Sequence, residues 1–169
     1  MRSLWLSLGL LAGCTVDAPM SFVRVKVSKA SIEVPSDWHR ADETRRGLVS
    51  ATYTPANNDH KESIVITRTE RAPAVAHEGV ATAQRLLTEA EGGLRGAKGS
   101  AAVPLSTTSG LSGAFISVDF VPPGRSTTYH RAHAVFIDGT ALVHVMYTAA
   151  DPDPMIFGAV VASLRHEET

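Results

Sequence analysis

Apolar and polar residues alternate along much of the chain beyond its first twenty positions. Residues 23–27 alternate valine with basic residues, and residues 32–34 continue this period of two. Such a pattern is typical of a strand with one buried face. Residues 48–54 and 63–69 predict two further strands, and the polar turn at 57–59 favours a hairpin between them. The first part of the chain therefore predicts several antiparallel strands.

The period changes to that of a helix between residues 76 and 90. Apolar residues recur there at spacings of four and three, which places them on one helical face. These residues are Ala76, Val80, Ala83, Leu87 and Ala90. Pro73 precedes the segment and Gly92-Gly93 follows it, an arrangement typical of a helix with defined ends. We therefore predict one internal helix.

A second group of strands follows, with a short strand around Val103–Leu105 and a longer one over residues 114–120. The clearest local feature is Asp138-Gly139, which separates two alternating runs and favours a two-residue type I′ turn. That turn pairs His133 with His144. Its register further pairs Ile137 with Thr140 and Val135 with Leu142. One face of this hairpin is almost purely apolar and is predicted to pack against the helices; it holds Ala132, Ala134, Phe136, Val143, Val145 and Tyr147.

The chain closes with a predicted helix that Asp153 caps and Pro154 begins. Its apolar stripe consists of Ile156, Phe157, Val160, Val161 and Leu164. Together the elements predict an α+β fold, in which an antiparallel sheet packs against an internal helix and a C-terminal helix.

Composition and charge exclude some classes of function. The chain has 169 residues, of which 44% are hydrophobic and 20% charged, which suits a single α+β domain over residues 22–169. The net charge is −1, and the longest basic cluster is Arg45-Arg46, so nucleic-acid binding is not expected. The single cysteine, Cys14, precedes the predicted domain, so we expect neither a disulfide nor a thiol nucleophile within it.

The amino terminus has the pattern of an export signal. Arg2 precedes an apolar run over residues 4–12, which is too short to span a bilayer as a helix. The tetrapeptide Leu11-Ala12-Gly13-Cys14 resembles the lipobox of bacterial lipoproteins. This resemblance implies that residues 1–13 are a signal peptide, that Cys14 carries lipid, and that residues 14–21 form a tether. The alternative is an ordinary secretory signal with Cys14 near its cleavage site by coincidence.

The resemblance also implies a location in the cell envelope. In lipoproteins of this kind, an aspartate after the cysteine suggests retention in the inner membrane, whereas this chain has Thr15. The expected location is therefore the outer membrane, facing the periplasm, if the cell has an outer membrane.

A second resemblance concerns the fold. Residues Ile32–Trp38 resemble the "strand, Pro, x, x, Trp" opening of the Mog1/PsbP-like fold, which includes lipoproteins and DcrB-like domains. The terminal hairpin and the helix ending near Leu164 are similar to the closing segment of that group. The resemblance implies a sandwich of sheet and helices. It also implies a binding, assembly or chaperone-like role, since members of this fold mostly act in that way.

Candidate chemistry is sparse. The predicted pair His133 and His144 has two imidazoles close enough to share a metal, but zinc usually takes three or four ligands. No third ligand is identifiable, because His130 points to the opposite face from His133. We therefore predict two histidines on a partly solvated sheet face and no metal. The Gly110–Ala114 segment lacks the last glycine of a serine nucleophile elbow, so we expect no catalytic residues.

Two aromatic residues remain as weak binding candidates. Trp38 follows a turn, where it either lines a ligand pocket or, more commonly for such a position, plugs the end of the sheet. Phe115 alternates out of phase with the predicted core residues of its strand and shares a face with Asp119. If exposed, Phe115 belongs to a partner-binding surface.

From the sequence we therefore expect a membrane-anchored, non-enzymatic envelope lipoprotein without a cofactor. Its expected role is that of a protein-interaction or assembly module with an envelope protein as its partner. The alternative is an envelope lipoprotein that binds a small ligand or a metal, centred on Trp38 or on the His133/His144 pair.

Overall fold

The computed structural model describes residues 20–167 except 46–47, 60, 71–78 and 95–96. This part of the chain forms eleven strands and two helices. In chain order they are β1 (Phe22–Val27), β2 (Ala30–Pro35), β3 (Trp38–Arg45), β4 (Leu48–Pro55), β5 (Ser63–Thr69), α1 (Gly79–Gly92), β6 (Lys98–Gly99), β7 (Val103–Ser106), β8 (Ser112–Phe120), β9 (Tyr129–Asp138), β10 (Ala141–Ala149), α2 (Pro154–Ala162) and β11 (Arg165–His166).

The strands form two sheets in which every neighbouring pair is antiparallel. The large sheet has eight strands in the order β3-β4-β5-β10-β9-β8-β6, with β7 also paired to β8. The small sheet has the order β1-β2-β11. This arrangement confirms the predicted α+β class with a mainly antiparallel sheet.

The two faces of the large sheet are covered by different elements. On one face, α1 lies against β8 and β9, where Leu87 packs with Ile116 and Val118. On the other face, the small sheet and α2 pack over an apolar cluster that includes Phe136, Val143 and all other apolar residues of the predicted hairpin face. The prediction that this face packs against both helices was therefore wrong, since only α2 covers it. Successive side chains of a strand point to opposite faces, and the even-numbered apolar residues of β8 point towards α1.

The β9–β10 hairpin differs in register from the prediction. Ala141 pairs with Asp138, so the turn residues are Gly139 and Thr140. Only Gly139, at φ +60°, has a positive φ, which excludes a type I′ turn and fits a type II′ turn with glycine in the first central position. The predicted pairs Ile137–Thr140, Val135–Leu142 and His133–His144 were wrong. The observed pairs are Ile137–Leu142, Val135–His144 and His133–Met146.

The side chain of Asp138 explains this register. Its carboxylate is buried and forms an ion pair with the buried guanidinium of Arg68, which holds Asp138 at the end of β9 and out of the turn. The shift moves each partner by two positions. Because side chains alternate with a period of two, every residue of the hairpin stays on the face that was predicted for it.

Three elements have no counterpart in the predicted set. The β3 strand lies at the edge of the large sheet, and the described side chains after Trp38 are exposed, so it has no apolar alternation. Charged residues are common on such edges, where they discourage pairing with another chain. The two-residue strands β6 and β11 are too short for any pattern. A turn at Ser28-Lys29 separates the two predicted strands β1 and β2, with Ser28 at φ 56°.

The ends of α2 agree with the predicted cap. The Asp153 side chain accepts a hydrogen bond from the Met155 backbone N–H at 2.8 Å, and Pro154 is the first helical residue. At the other end, the Ala162 carbonyl accepts hydrogen bonds from the backbone N–H and the hydroxyl of Thr108, at 3.1 and 2.7 Å. Within the described ranges, no helix combines the length and apolar character needed to cross a membrane.

Candidate functional site

An open groove of about 420 Å³ lies between the first half of α2 and strands β8, β9 and β10. Its walls are mainly apolar, with aromatic rings on both sides. The lining residues are Phe115, Ser117, Asp119, His130, Arg131, Ala132, Tyr147, Pro152, Pro154, Phe157 and Gly158. Ligand-binding clefts in proteins usually have volumes in this range and a similar mixture of apolar walls and few polar groups.

The alternation of β8 creates one wall of this groove. Its even-numbered apolar residues point towards α1, so Phe115, Ser117 and Asp119 point towards α2. The helix contributes Phe157 and Gly158 to the opposite wall. A Cβ atom at Gly158 would have no neighbour within 4 Å, so the missing side chain leaves part of the groove open.

A second cavity of about 220 Å³ continues along α2 towards β7. It shares Phe115, Phe157 and Gly158 with the first, and it extends to Leu105 and Ala162. The rings of Phe115 and Phe157 contact each other between the two cavities, with centroids 5.6 Å apart and a tilt of 39°. The two cavities therefore form one apolar trough beside the helix, which we call the α2 groove.

Polar groups lie at the mouth of the α2 groove. Asp119 pairs directly with His130 across β8 and β9, and its Oδ1 lies 2.7 Å from His130 Nδ1. The Tyr147 hydroxyl donates to Glu62 Oε1 at 2.8 Å and accepts from the backbone N–H of Asp153 at 3.0 Å. Burial is the main reason that the pKa of Tyr147 is raised, so the hydroxyl stays protonated and holds these two groups at the groove.

The structure places Phe115, one of the two aromatic candidates, at the centre of this groove. It is half-buried and lies on the same face as Asp119, as its spacing predicts. Trp38 lies elsewhere. It begins β3, is half-buried, and packs against the main apolar cluster, so its position agrees with the interpretation as a plug at the end of the sheet.

The candidate histidines meet on the other face of the sheet, despite the error in register. His133 Nδ1 lies 2.9 Å from His144 Nε2, and the two ring planes differ by only 14°. His133 is buried, with 3% of its surface exposed, so the prediction of a partly solvated sheet face was wrong for this ring, because α1 packs on that face. Its Nε2 has no hydrogen-bond partner. They meet because a shift of two positions makes them diagonal neighbours on the same face. His130 lies on the opposite face, as predicted.

The electrostatics of the pair disfavour a cation. Burial lowers the pKa of His133 to about 3, with further contributions from His144 and Arg131, and burial and Arg131 lower the pKa of His144 to about 4. Both rings are therefore neutral near pH 7. The positive charge of Arg131 would repel a metal ion as it repels a proton, and the described residues contain no group of three potential metal ligands. The geometry suits a buried hydrogen bond better than a metal centre.

A buried ionic cluster was not among the predicted sites. Asp138 accepts from Arg68 Nη1, and its Oδ1 lies 2.9 Å from His166 Nδ1 in β11. Arg68 Nε also donates to Glu70 at 3.0 Å. These residues lie far apart in the sequence. The alternation of β5 was the only available signal, because it places Arg68 on the same buried face as its apolar neighbours.

The sequence motif for lipid attachment lies outside the described residues. Leu11, Ala12, Gly13 and Cys14 all precede residue 20, where the described part of the chain begins. Cleavage and lipidation at Cys14 therefore stay predictions.

Comparisons with known proteins support the fold. No protein-family model matches the sequence, and no curated protein matches it. The structure is similar to the solution structure of PsbP (CyanoP) from the cyanobacterium Synechocystis, with a TM-score of 0.62, 16% identity, and coverage of 94% of this chain and 99% of that one. It is also similar to a crystal structure from Bacteroides thetaiotaomicron, with a TM-score of 0.57, 16% identity, and coverage of 83% of this chain and 46% of that one.

These similarities confirm the expectation of a PsbP-like fold. At 16% identity they describe the fold and carry no information about the partner or ligand, because one fold hosts many functions. Any function has to be argued from the sites themselves.

Proposed function

We propose that this protein is a lipid-anchored lipoprotein of the cell envelope that acts as a non-enzymatic interaction or assembly module. Its partner is another envelope protein, which docks in the α2 groove. The proposal combines the lipobox resemblance of residues 11–14 with one structural observation. That observation is an open apolar groove with Phe115 and Phe157 at its centre.

Partly exposed aromatic surface of this kind favours a protein partner. Apolar patches that stay open in a folded domain often mark interaction sites, and aromatic residues are enriched in the cores of protein interfaces. The α2 groove is elongated, because the two cavities join across the Phe115–Phe157 contact. An elongated, open groove suits a segment of polypeptide better than a compact metabolite.

The polar groups of the groove do not form a catalytic arrangement. A histidine that activates a nucleophile needs a hydroxyl or thiol within hydrogen-bonding reach, in addition to an orienting carboxylate. His130 has the carboxylate, in Asp119, but no hydroxyl or thiol of the described residues hydrogen-bonds to it. This favours the non-enzymatic interpretation.

A lipid at Cys14 would place the groove close to a membrane surface. Each buried methylene of an acyl chain contributes about 0.8 kcal/mol, so two or three chains form a durable anchor. The short tether of residues 14–21 would keep the domain near the bilayer and raise its local concentration towards other envelope proteins.

The test is cross-linking in living cells. A photoactivatable side chain is introduced at Phe115 or at Phe157, and at Val23 as the matched control, since Val23 is an exposed apolar residue of β1. We expect a discrete cross-linked protein from both groove positions and none from Val23. The experiment is repeated with Cys14→Ser, which should lose the cross-link if the lipid is needed to reach the partner. Equal cross-linking from all three positions, or none from the groove, would contradict the proposal.

The groove volume supports a second candidate function. A cavity of about 420 Å³ is large enough for a small apolar ligand. Native mass spectrometry of the protein purified from its own membranes distinguishes small-ligand binding from binding of a protein partner. An added mass that is lost on Gly158→Leu, without a cross-linked protein, would favour small-ligand binding.

A further inference from the structure

We infer that the segment which occupies the α2 groove is cationic and amphipathic, with apolar side chains against Phe115 and Phe157 and lysine or arginine beside them. This inference rests on the proposed function, since it concerns the partner of the same groove. It adds the chemical class of that partner, which the apolar walls alone do not determine.

Acidic side chains surround the mouth of the groove. Asp119 lines it directly, and Glu62 is held at its edge by the Tyr147 hydroxyl. Asp151 and Asp153 flank Pro152, which also lines the groove. Asp119 and Asp151 are exposed, so these carboxylates are accessible to a partner.

Within the described ranges, these four carboxylates have no lysine or arginine as a partner, and Asp119 has His130 instead. Asp119 contacts His130, Glu62 accepts from a tyrosine, and Asp153 accepts from a backbone N–H. Five carboxylates outside the groove do pair with lysine or arginine: Glu33, Asp42, Glu70, Asp138 and Glu167.

Arg131 lines the groove, but its side chain lies on the opposite face of the sheet, which it shares with His133 and Val118. Arg131 Nε donates to the Thr148 hydroxyl at 3.1 Å, and its guanidinium lies 4.5 Å from the centroid of the Phe120 ring. It therefore leaves the acidic rim without a neutralising lysine or arginine among the residues that the structure describes. We therefore expect a negative potential at the rim, which would attract cations and repel anionic lipid headgroups.

The apolar walls and the acidic rim together determine the segment. The apolar walls exclude a purely hydrophilic basic peptide. Its charged groups would lose their water in the groove without gaining hydrogen-bond partners there. The rim disfavours an acidic amphipathic segment, because like charges would face each other. A segment with leucine-like side chains on one face and lysine or arginine at the margins satisfies both.

The experiment measures peptide binding to the full-length protein in phosphatidylcholine nanodiscs, a lipid without net charge. The probes are three fluorescent twelve-residue peptides with the same pattern, one of leucine and lysine, one of leucine and glutamate, and one of serine and lysine. Empty nanodiscs give the background for each peptide. The rim variant carries Glu62→Gln, Asp119→Asn and Asp151→Asn, and Asp153 is kept because it caps α2.

A matched control variant removes three carboxylates away from the groove, Asp37→Asn, Asp42→Asn and Glu89→Gln, so its change in net charge equals that of the rim variant. We expect the leucine–lysine peptide to bind saturably and at least tenfold more tightly to the native protein than to the rim variant. The control variant should keep native affinity, and the preference should shrink as salt rises. Equal affinity for the rim variant, or equal binding of the leucine–glutamate peptide, would overturn the inference.

A groove-filling variant separates this inference from the proposed function. Gly158→Leu places a side chain into the open space of the groove and should abolish binding of the leucine-containing peptides. If Gly158→Leu abolishes binding while the rim variant does not weaken it, the groove is a docking site and only its cationic preference is refuted. If Gly158→Leu leaves binding unchanged while its circular dichroism is native, both proposals are refuted.

Discussion

The His133–His144 hydrogen bond leads to a prediction that distinguishes a buried neutral pair from two solvated histidines. Replacing only His144 with leucine leaves the buried His133 ring with an unpartnered donor and an unpartnered acceptor. An orphaned buried polar group costs about 1–3 kcal/mol, so His144→Leu should lower the free energy of unfolding by that amount at pH 7. Replacing both histidines with leucine removes the orphaned groups, and the double variant should recover most of this loss.

The same pair should make stability depend on pH. The pKa values of His133 and His144 in the folded state, about 3 and about 4, lie below the ordinary value of 6.5. The unfolded chain therefore binds more protons between about pH 4 and 6.5. The contribution of the neutral pair to the free energy of unfolding is fully present above pH 6.5. It is lost as the pH falls through this window. With two such groups, the free energy of unfolding changes by at most about 2.7 kcal/mol per pH unit near pH 5.

The assay is urea unfolding of the full chain at pH 7 and at pH 5, followed by tryptophan fluorescence. A Trp5→Phe background makes Trp38 the only tryptophan, and Trp38 packs against the core. From pH 7 to pH 5 the parent should lose at most about 4 kcal/mol, and the variant with both histidines replaced should lose much less. Equal losses in the two proteins would refute a buried, neutral pair. Stability of His144→Leu equal to the parent at pH 7 would refute the structural role of the hydrogen bond.

Four other changes test the fold and the anchor. Asp138→Ala removes the buried carboxylate partner of Arg68, which keeps only the more exposed Glu70, and should lower the free energy of unfolding by about 3–5 kcal/mol. A loss below about 1 kcal/mol in urea titration would contradict the buried ion pair. Gly158→Ala should raise the free energy of unfolding by about 0.5–1 kcal/mol, because the added Cβ of this helical residue meets open space. Gly113→Ala should prevent stable folding, because its Cβ would lie 2.1 Å from a backbone carbonyl oxygen of β9. Thermal melts in which the two glycine variants behave alike would contradict the crowded site at Gly113 and the open site at Gly158. Cys14→Ser should abolish palmitate incorporation and move the protein out of the membrane fraction, and retained labelling would exclude this cysteine as the lipid site.

The sequence predicted the main strands, both helices and the fold class, because each of these has a periodic apolar face. Strands β4, β5 and β8 alternate with a period of two, and α2 has an apolar stripe with a capping aspartate in front of it. Strand β3 was missed for the same reason. An edge strand with exposed side chains needs no apolar residues, so its pairing with β4 is determined by backbone hydrogen bonds that leave no pattern in the sequence.

The α2 groove could be predicted only in part. Phe115 alternates with the even-numbered core residues of β8, which indicated that its side chain lies on the other face of the strand, together with Asp119. The sequence could not show that Phe157 and Gly158 of α2 lie opposite Phe115, because more than forty positions separate them and only the packing of α2 on the sheet brings them together. The acidic rim is likewise assembled from loops and strands that are distant along the chain.

What the sequence by itself determined is therefore the identity and order of the elements that have an apolar period, and the face of their side chains, since these follow from local periodicity. The tertiary structure decided the hairpin register, which depends on the buried ion pair between Asp138 and Arg68, seventy positions apart. It also decided that the two helices lie on opposite faces of the sheet. A local pattern specifies which residues need burial, but the partners that bury them are chosen by long-range contacts that no short window of sequence contains.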